Sequence, residues 1–416
     1  MMSKWKTVEL GDLVTLASGG SFPVKYQGNK DGKYNFFKVS DMNLSQNQKY
    51  MVESVNTIDE NVKEKLRSKI HPKNTIIFPK VGAALLTNKR RLLVEPSAFD
   101  NNIMGVIPNE KVDFNYLYYY MLTVDFRKLS QTGAIPSVNN TIVSLLPVDL
   151  PINKIEQQKI AAILSSVDEA IEKTEQIIEQ TEKVKKGLMQ ELLTRGIGHT
   201  EFKESPVGRI PQKWEVAVFN DVFDRITTKN SKDNKNVLTI SGEHGLISQL
   251  EYFNKSVSAK SLTNYIYLEN GDFAYNKSYS NGYPLGAIKR LERYEAGVVS
   301  TLYICFRLKA PNINGFYKCY FDSPYWHRQV YSIAPEGGRS HGLLNVGVKD
   351  FFEILIPVPP VEEQMMIERK LASIDEKVII EKDRLNNLQT LMQGLMQELL
   401  TGKKRVKVDD SEEVLS

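Results

Sequence analysis

Apolar positions along this chain follow two periods, and each period occurs in two places. Stepping alternately by four and three from Ile160 meets Leu164, Val167, Ile171, Thr174, Ile178, Thr181, Lys185, Leu188 and Leu192. The same steps 207 residues on meet Ile367, Leu371, Ile374, Val378, Glu381, Leu385, Leu388, Met392, Leu395 and Leu399. Seven of the first ten positions and nine of the second ten are apolar, with Glu, Lys and Gln on most flanking sites. A seam this narrow, at a 3.5-residue period, is that of a coiled coil. The first helix is predicted to open at Asn153, with Glu156 as a capping-box partner, and to end at Gly196. The second is predicted to follow Pro357-Val358-Pro359-Pro360 and to stop near Gly402. About 36 residues at 1.5 Å each make a rod of roughly 54 Å. Two matched amphipathic helices in one chain predict an antiparallel pair, with polar Thr174, Thr181, Lys185 and Glu381 setting register. The competing reading packs each helix on its own globular half.

The second period is that of short strands. Asn74 to Phe78, Arg91 to Val94, Asp272 to Tyr275 and Val298 to Arg307 read as strands, while Tyr116 to Ser130 and Gly315 to Tyr331 read as helices. The fold class is therefore α+β, with no strand order implied.

The spacing of 207 is an internal duplication. Gly187-Leu188-Met189-Gln190-Glu191-Leu192-Leu193-Thr194 recurs residue for residue as Gly394 to Thr401. Leu164 to Asp168 returns as Leu371 to Asp375, and Ile155-Glu156-Gln157-Gln158 returns loosely as Val361-Glu362-Glu363-Gln364. Trp5 to Leu10 is echoed by Trp214 to Phe219. Each copy is a globular part followed by a charged helix: residues 1–153 and 154–198, then 199–360 and 361–416.

Composition now narrows the class. At 416 residues, 41% hydrophobic and 25% charged, the chain has the make-up of two or three folded domains. Two cysteines, Cys305 and Cys319, build no disulfide framework. With no long apolar stretch and no signal-like start, a cytoplasmic protein that is neither secreted nor membrane-spanning is expected. The net charge of +4 divides informatively: residues 1–153 carry +5, 154–195 carry −1, 196–360 carry +3 and 361–416 carry −3. Basic domains on acidic rods suit polyanion contact by the domains alone.

No phosphate-binding glycine loop, dinucleotide fingerprint, His-Glu-x-x-His or Cys-x-x-Cys pattern is present, and the five histidines are scattered. Glu201-Phe202-Lys203 holds half of a nuclease signature, which chance in a polar linker explains. No metal site or catalytic residue is assigned, and a binding role leads. Candidate contacts with DNA mix cations with amides and hydroxyls, which can reach guanine acceptors, phosphates or adenine. In the first half they are Lys80, Asn88, Lys89, Arg90, Arg91, Ser137 and Asn139. In the second they are Asn276, Lys277, Tyr279, Asn281, Lys289, Arg339 and His341. The tail after Gly402 reads as an unstructured end.

Together these features resemble the DNA-specificity subunit of Type I restriction–modification systems. The resemblance rests on Ile155 to Gln158 opening the first rod, Gly187 to Thr194 closing it, and Ser205-Pro206-Val207-Gly208-Arg209-Ile210-Pro211-Gln212-Lys213-Trp214-Glu215 entering the second domain. It implies a non-catalytic reader whose two target-recognition domains each read half of a bipartite, asymmetric double-stranded DNA site. The rods would act as a ruler between them. It also implies two modification (methyltransferase) subunits and restriction subunits as partners. S-adenosylmethionine, ATP and Mg would sit on those partners and none on this chain. A coiled-coil scaffold that binds only proteins is the alternative; a stand-alone nuclease or methyltransferase lacks its motifs.

Overall fold

Strand Ile76–Pro79 is buried along its whole length, so both of its faces need cover and both of its edges need partners. In the computed structural model it lies inside a five-stranded sheet in the order Val14–Ser18, Ile103–Pro108, Ile76–Pro79, Arg91–Leu93, Tyr50–Met51. All neighbours are antiparallel except the last pair. The structure describes residues 5–130, 135–242, 244–253, 261–278, 283–334, 338–339 and 343–408.

The chain forms two compact units, residues 1–175 with 383–416, and residues 176–382. Each holds one globular domain, part of the first long helix (Lys154–Arg195) and part of the second (Val361–Leu399). In the second unit the central sheet runs Phe223–Ile226, Ile304–Leu308, Phe273–Asn276, Ala287–Arg290. This repeats the first four strands of the other sheet, in the same order and all antiparallel. In both domains a helix then follows, Phe114–Thr123 or Asn314–Asp322, and a last strand leads into the long helix. That last strand pairs with the strand that opens the domain, Pro147–Pro151 with Trp5–Glu9 and Leu355–Val358 with Glu215–Val218. The duplication thus covers the domains as well as the rods.

The core residues differ while the positions persist. Leu10 N–H donates to Leu146 C=O at 2.8 Å, and Phe219 N–H donates to Ile354 C=O at 2.8 Å. Leu10 packs among aliphatics such as Val14, Ile76 and Val106. Phe219 instead meets Phe223, Phe306 and Phe351, with ring centroids 4.5 to 4.9 Å apart. Edge-to-face and offset rings fill the same space with different shapes.

Between the first and third strands of each sheet, and again between the fourth and the second, the chain contributes to a side lobe. In the first unit, Thr57–Ile58, Tyr34–Phe37 and Ala98–Phe99 form a three-stranded sheet beside helix Glu60–Leu66. In the second, hairpin Leu238–Ser241 with Gly245–Ser248 and the pair Ile266–Glu269 with Ala296–Val299 occupy that place.

Several expected elements are shorter than the sequence pattern suggested. The stretch Val298 to Arg307 is two strands, Ala296–Val299 and Ile304–Leu308, parted by a turn in which Tyr303 N–H bonds Ser300 C=O. The helix expected over Tyr116 to Ser130 breaks before Phe126, where the Asp125 carboxylate caps a new helix through Arg127 N–H. The one expected over Gly315 to Tyr331 stops at Asp322 ahead of Ser323-Pro324. The heptad seam is observed: none of its twenty positions is exposed. Within the first unit Ile160 and Leu164 share a core with Met392 and Leu399, and within the second Leu192 shares one with Ile367 and Leu371. The two helices are therefore antiparallel, and they pack on their domains as well as on each other. The Thr174 and Thr181 hydroxyls donate to Ala170 and Ile177 C=O of their own helix, which satisfies them without a partner across the seam. Lys185 forms an ion pair with Asp375.

Candidate nucleic-acid interface

Each domain is fastened to the rods by one repeated latch. Glu156 is fully buried, and its carboxylate accepts from the Trp5 indole N–H at 3.4 Å and from Arg405 Nε and Nη2, both at 2.9 Å. In the second unit the Glu363 carboxylate accepts from the Trp214 indole at 3.0 Å and Ile197 N–H at 2.8 Å, and meets His199 Nε2 at 2.9 Å. Glycine at the end of each long helix makes room. A Cβ on Gly196 (φ 64°) would come within 2.2 Å of Glu363 Oε1, and one on Gly402 (φ 70°) within 2.9 Å of the Trp5 ring.

Next to each carboxylate stands a buried amide. Gln157 Oε1 accepts from Asp113 N–H at 2.7 Å while its amide donates to Pro151 C=O at 2.9 Å. Gln364 Oε1 accepts from Ile313 N–H at 2.9 Å while its Nε2 donates to Pro359 C=O at 2.8 Å. The geometry therefore aligns Glu156 with Glu363 and Gln157 with Gln364, one place off the loose tetrapeptide match. Arg405 belongs to the segment expected to be unstructured, yet Val406 packs on the core and Val408 is buried. Residues 409–416 lie outside the described residues.

The third strand of each sheet delivers a lysine at its end: Lys80 after Pro79, and Lys277 after Asn276. Lys80 C=O accepts from Val138 N–H at 3.0 Å, Val81 bridges to Ser137, and Gly82 N–H donates to Pro136 C=O at 2.8 Å. Lys277 C=O accepts from Leu344 N–H at 3.0 Å, and Leu343–Leu344 pairs with Gly338–Arg339. In both domains the loop after the third strand thus lies beside the segment that follows the domain's helices. The structure brings together Lys80 with Ser137, and Lys277 with strand Leu343–Leu344, whose partner strand bears Arg339. The Lys80 side chain, half-buried, makes no hydrogen bond or ion pair with another described residue, and Lys277 Nζ reaches Val346 C=O at 3.2 Å.

Other expected contacts serve the fold. Arg90 is buried, its guanidinium donating to Asn88 and Val124 C=O and lying 4.4 Å from the centre of the Phe126 ring. Burial pulls its pKa down to about 10. Arg91 is buried as well and binds Asn47, Arg90 and Met42 C=O. Neither presents its charge to a ligand: a guanidinium can go inside when carbonyls and a ring face receive it. Asn88, left-handed at φ 56°, accepts from Phe126 N–H at 3.1 Å, and Asn139 caps helix Asn140–Ser144 through Ile142 N–H. Lys89 donates to Asn43. Asn276 accepts from Ser278 N–H at 3.0 Å, and Lys289 pairs with Asp322 at 2.6 Å. Tyr279, Asn281 and His341 lie outside the described residues, as does the Arg339 side chain.

A group of surface cations escaped the sequence reading. Lys25, Lys30, Lys65, Arg67, Lys69 and Lys73 are exposed on the first lobe, and none of their side chains makes a hydrogen bond or ion pair with another described residue. Charge counted by lobe would have found them: residues 19–75 carry +4, whereas residues 227–272 carry none.

Comparison with known proteins bears on this geometry. Residues 2–183 match the family model described as Type I restriction modification DNA specificity domain. Over that stretch the chain is similar to the Type I DNA-specificity subunits. It is 29% identical over 320 residues to the Type I restriction enzyme MjaVIII specificity subunit of Methanocaldococcus jannaschii, covering 72% of each chain. It is 21% identical over 427 residues to the Type I restriction enzyme EcoDI specificity subunit of Escherichia coli, covering 95% of this chain and 87% of that one. Its fold is similar to the crystal structure of a Type-I restriction-modification system S subunit from M. genitalium, with TM-score 0.57, 16% identity and 96% of each chain covered. Specificity subunits are non-catalytic members of such systems, and sequence-specific DNA recognition is the family's role. Among the described residues, no helix is long and apolar enough to cross a membrane.

Proposed function

We propose that each domain reads one half of a bipartite, asymmetric DNA site, and that the chain directs modification and restriction subunits to it. The observation that carries this is the paired set of loops: Lys80 beside Ser137, and Lys277 beside strand Leu343–Leu344, at the same topological place in two domains of unlike sequence. Equivalent platforms with different side chains suit two different half-sites, since base edges are told apart by the donors and acceptors presented to them. Two modification subunits would dock on the chain and carry S-adenosylmethionine, and ATP and Mg would serve the restriction subunits. The long helices, 42 and 39 residues, would fix the gap between the half-sites.

Two experiments test the proposal. Lys80→Ala and Lys277→Ala, in the chain assembled with modification subunits, should each relax methylation selectivity at one half-site, and at opposite halves. Equal loss at both halves would refute the assignment. Deleting one heptad from each helix should change or abolish the tolerated spacer, whereas an unchanged spacer would sink the ruler. The scaffold alternative has no specific observation in its favour.

A further inference from the structure

We propose that the first lobe is a phosphate-anchoring surface, so that the first domain grips DNA by charge in a way the second does not. The inference rests on the reading that this chain binds DNA, and it goes beyond it by dividing affinity unequally between two domains of one topology.

Three segments carry the cations, and they are stitched around strand Tyr34–Phe37. Thr57 N–H donates to Asn29 C=O at 2.7 Å, and Gly32 N–H donates to Thr57 Oγ1 at 2.7 Å, which ties the loop holding Lys30 to the start of helix Glu60–Leu66. Lys33 and Lys63 both pair with Glu60, at 2.8 and 2.7 Å, closing the same seam. The loop holding Lys25 is anchored by Phe22 stacked on Phe36, with centroids 3.9 Å apart. Lys65, Arg67, Lys69 and Lys73 follow from the last turn of the helix onward. The lobe's acids are partly consumed internally: Glu60 takes two lysines, and the Asp59 side chain caps the helix through Val62 N–H.

A helix C-terminus favours nearby cations, which explains Lys65. It does not explain Lys25, Lys30 or Lys73. The second lobe is the control built into the fold. Lys229 donates to Asn264 C=O at 3.0 Å, Lys232 pairs with Glu269 at 3.7 Å, and Lys235 pairs with Asp233 at 2.5 Å. Each described lysine there makes a hydrogen bond or ion pair through its side chain, whereas six cations of the first lobe do not, Lys25 lying only over the Tyr26 ring at 4.9 Å. Charges on one lobe lie within a Debye length or two of each other and add their fields toward a polyanion.

The test replaces Lys25, Lys30, Lys65, Arg67, Lys69 and Lys73 with Gln in the full chain assembled with modification subunits. Binding to a duplex carrying the selected site and to a scrambled duplex is titrated at several salt concentrations. The slope of log affinity against log salt should become shallower by about 0.9 for each phosphate contact removed. Affinity should fall alike for both duplexes, leaving their ratio unchanged. A second variant that keeps the charge (each Lys→Arg, with Arg67→Lys) should restore the slope, which separates charge from folding. An unchanged slope overturns the proposal. So does lost assembly with an unchanged slope, which would make the lobe a protein-docking surface. Absence of any preference between duplexes in the unaltered chain would instead defeat the DNA-reading proposal, and the slope would still report on the lobe.

Discussion

In one half of the molecule a buried glutamate holds Trp5 and Arg405, and in the other its counterpart holds Trp214 and His199. The two latches agree in the acid, the indole, the neighbouring amide and the glycine beside them. The two lobes agree in almost nothing: three strands and a helix with spare positive charge on one side, a hairpin and a strand pair with engaged lysines on the other. What joins domain to rod is constrained by hydrogen-bond geometry in a dry place, where few residue types fit. What faces outward is constrained only by the ligand.

Breaking the latches should give the largest effect and should differ between halves. Glu363→Ala strands the indole N–H of fully buried Trp214 and the Ile197 N–H, and should cost about 1–3 kcal/mol for each donor left without a partner. Glu156→Ala should cost less, because the Arg405 side chain is already 22% exposed and can turn to water. Denaturant unfolding of the two variants checks this; equal losses would mean that the halves are more alike than their partners suggest. Leu164→Ala and Leu371→Ala, at repeat-related seam positions with no exposure, should each cost about 2–5 kcal/mol and match one another.

Acid should separate the lobes. His71 stacks on Phe99 at 4.3 Å, and burial, then the charge of Lys69, hold its imidazole below the usual range. The folded lobe disfavours the proton, so its contribution is whole above about pH 6.5 and declines as pH falls below that, where the unfolded chain takes up the proton first. Protection of the amides around Phe36 and Ile58, taken relative to their intrinsic exchange rates, should fall from about pH 6.5 to 5, and His71→Phe should remove the dependence. The second lobe, which has no such buried histidine stack among its described residues, should keep its protection. The smallest effect is reserved for Lys185–Asp375: both side chains are about a third exposed, and a double-mutant cycle should return no more than about 1 kcal/mol.

The rods were legible because a seam repeats one requirement many times, and an eight-residue identity marks its end. The shared strand order of the domains was not, because beyond the echo of Trp5 to Leu10 in Trp214 to Phe219 their core side chains differ in shape and only the backbone pairing records the kinship. Among candidate contacts, the position of Lys80 and Lys277 just beyond a strand was legible, since Asn74 to Phe78 and Asp272 to Tyr275 read as strands. Arg90 and Arg91 misled because a run of charge reads as solvated until carbonyls are seen to enclose it. Arg405 was hidden for the opposite reason: its partner Glu156 lies 249 residues away.

The central claim is that two domains read two unlike half-sites. Selection of duplexes from a randomised pool by the chain assembled with modification subunits tests it most directly. The account predicts an enriched sequence in two unlike blocks separated by a gap of fixed length and free composition. A single continuous block, a palindrome, or no enrichment would contradict it.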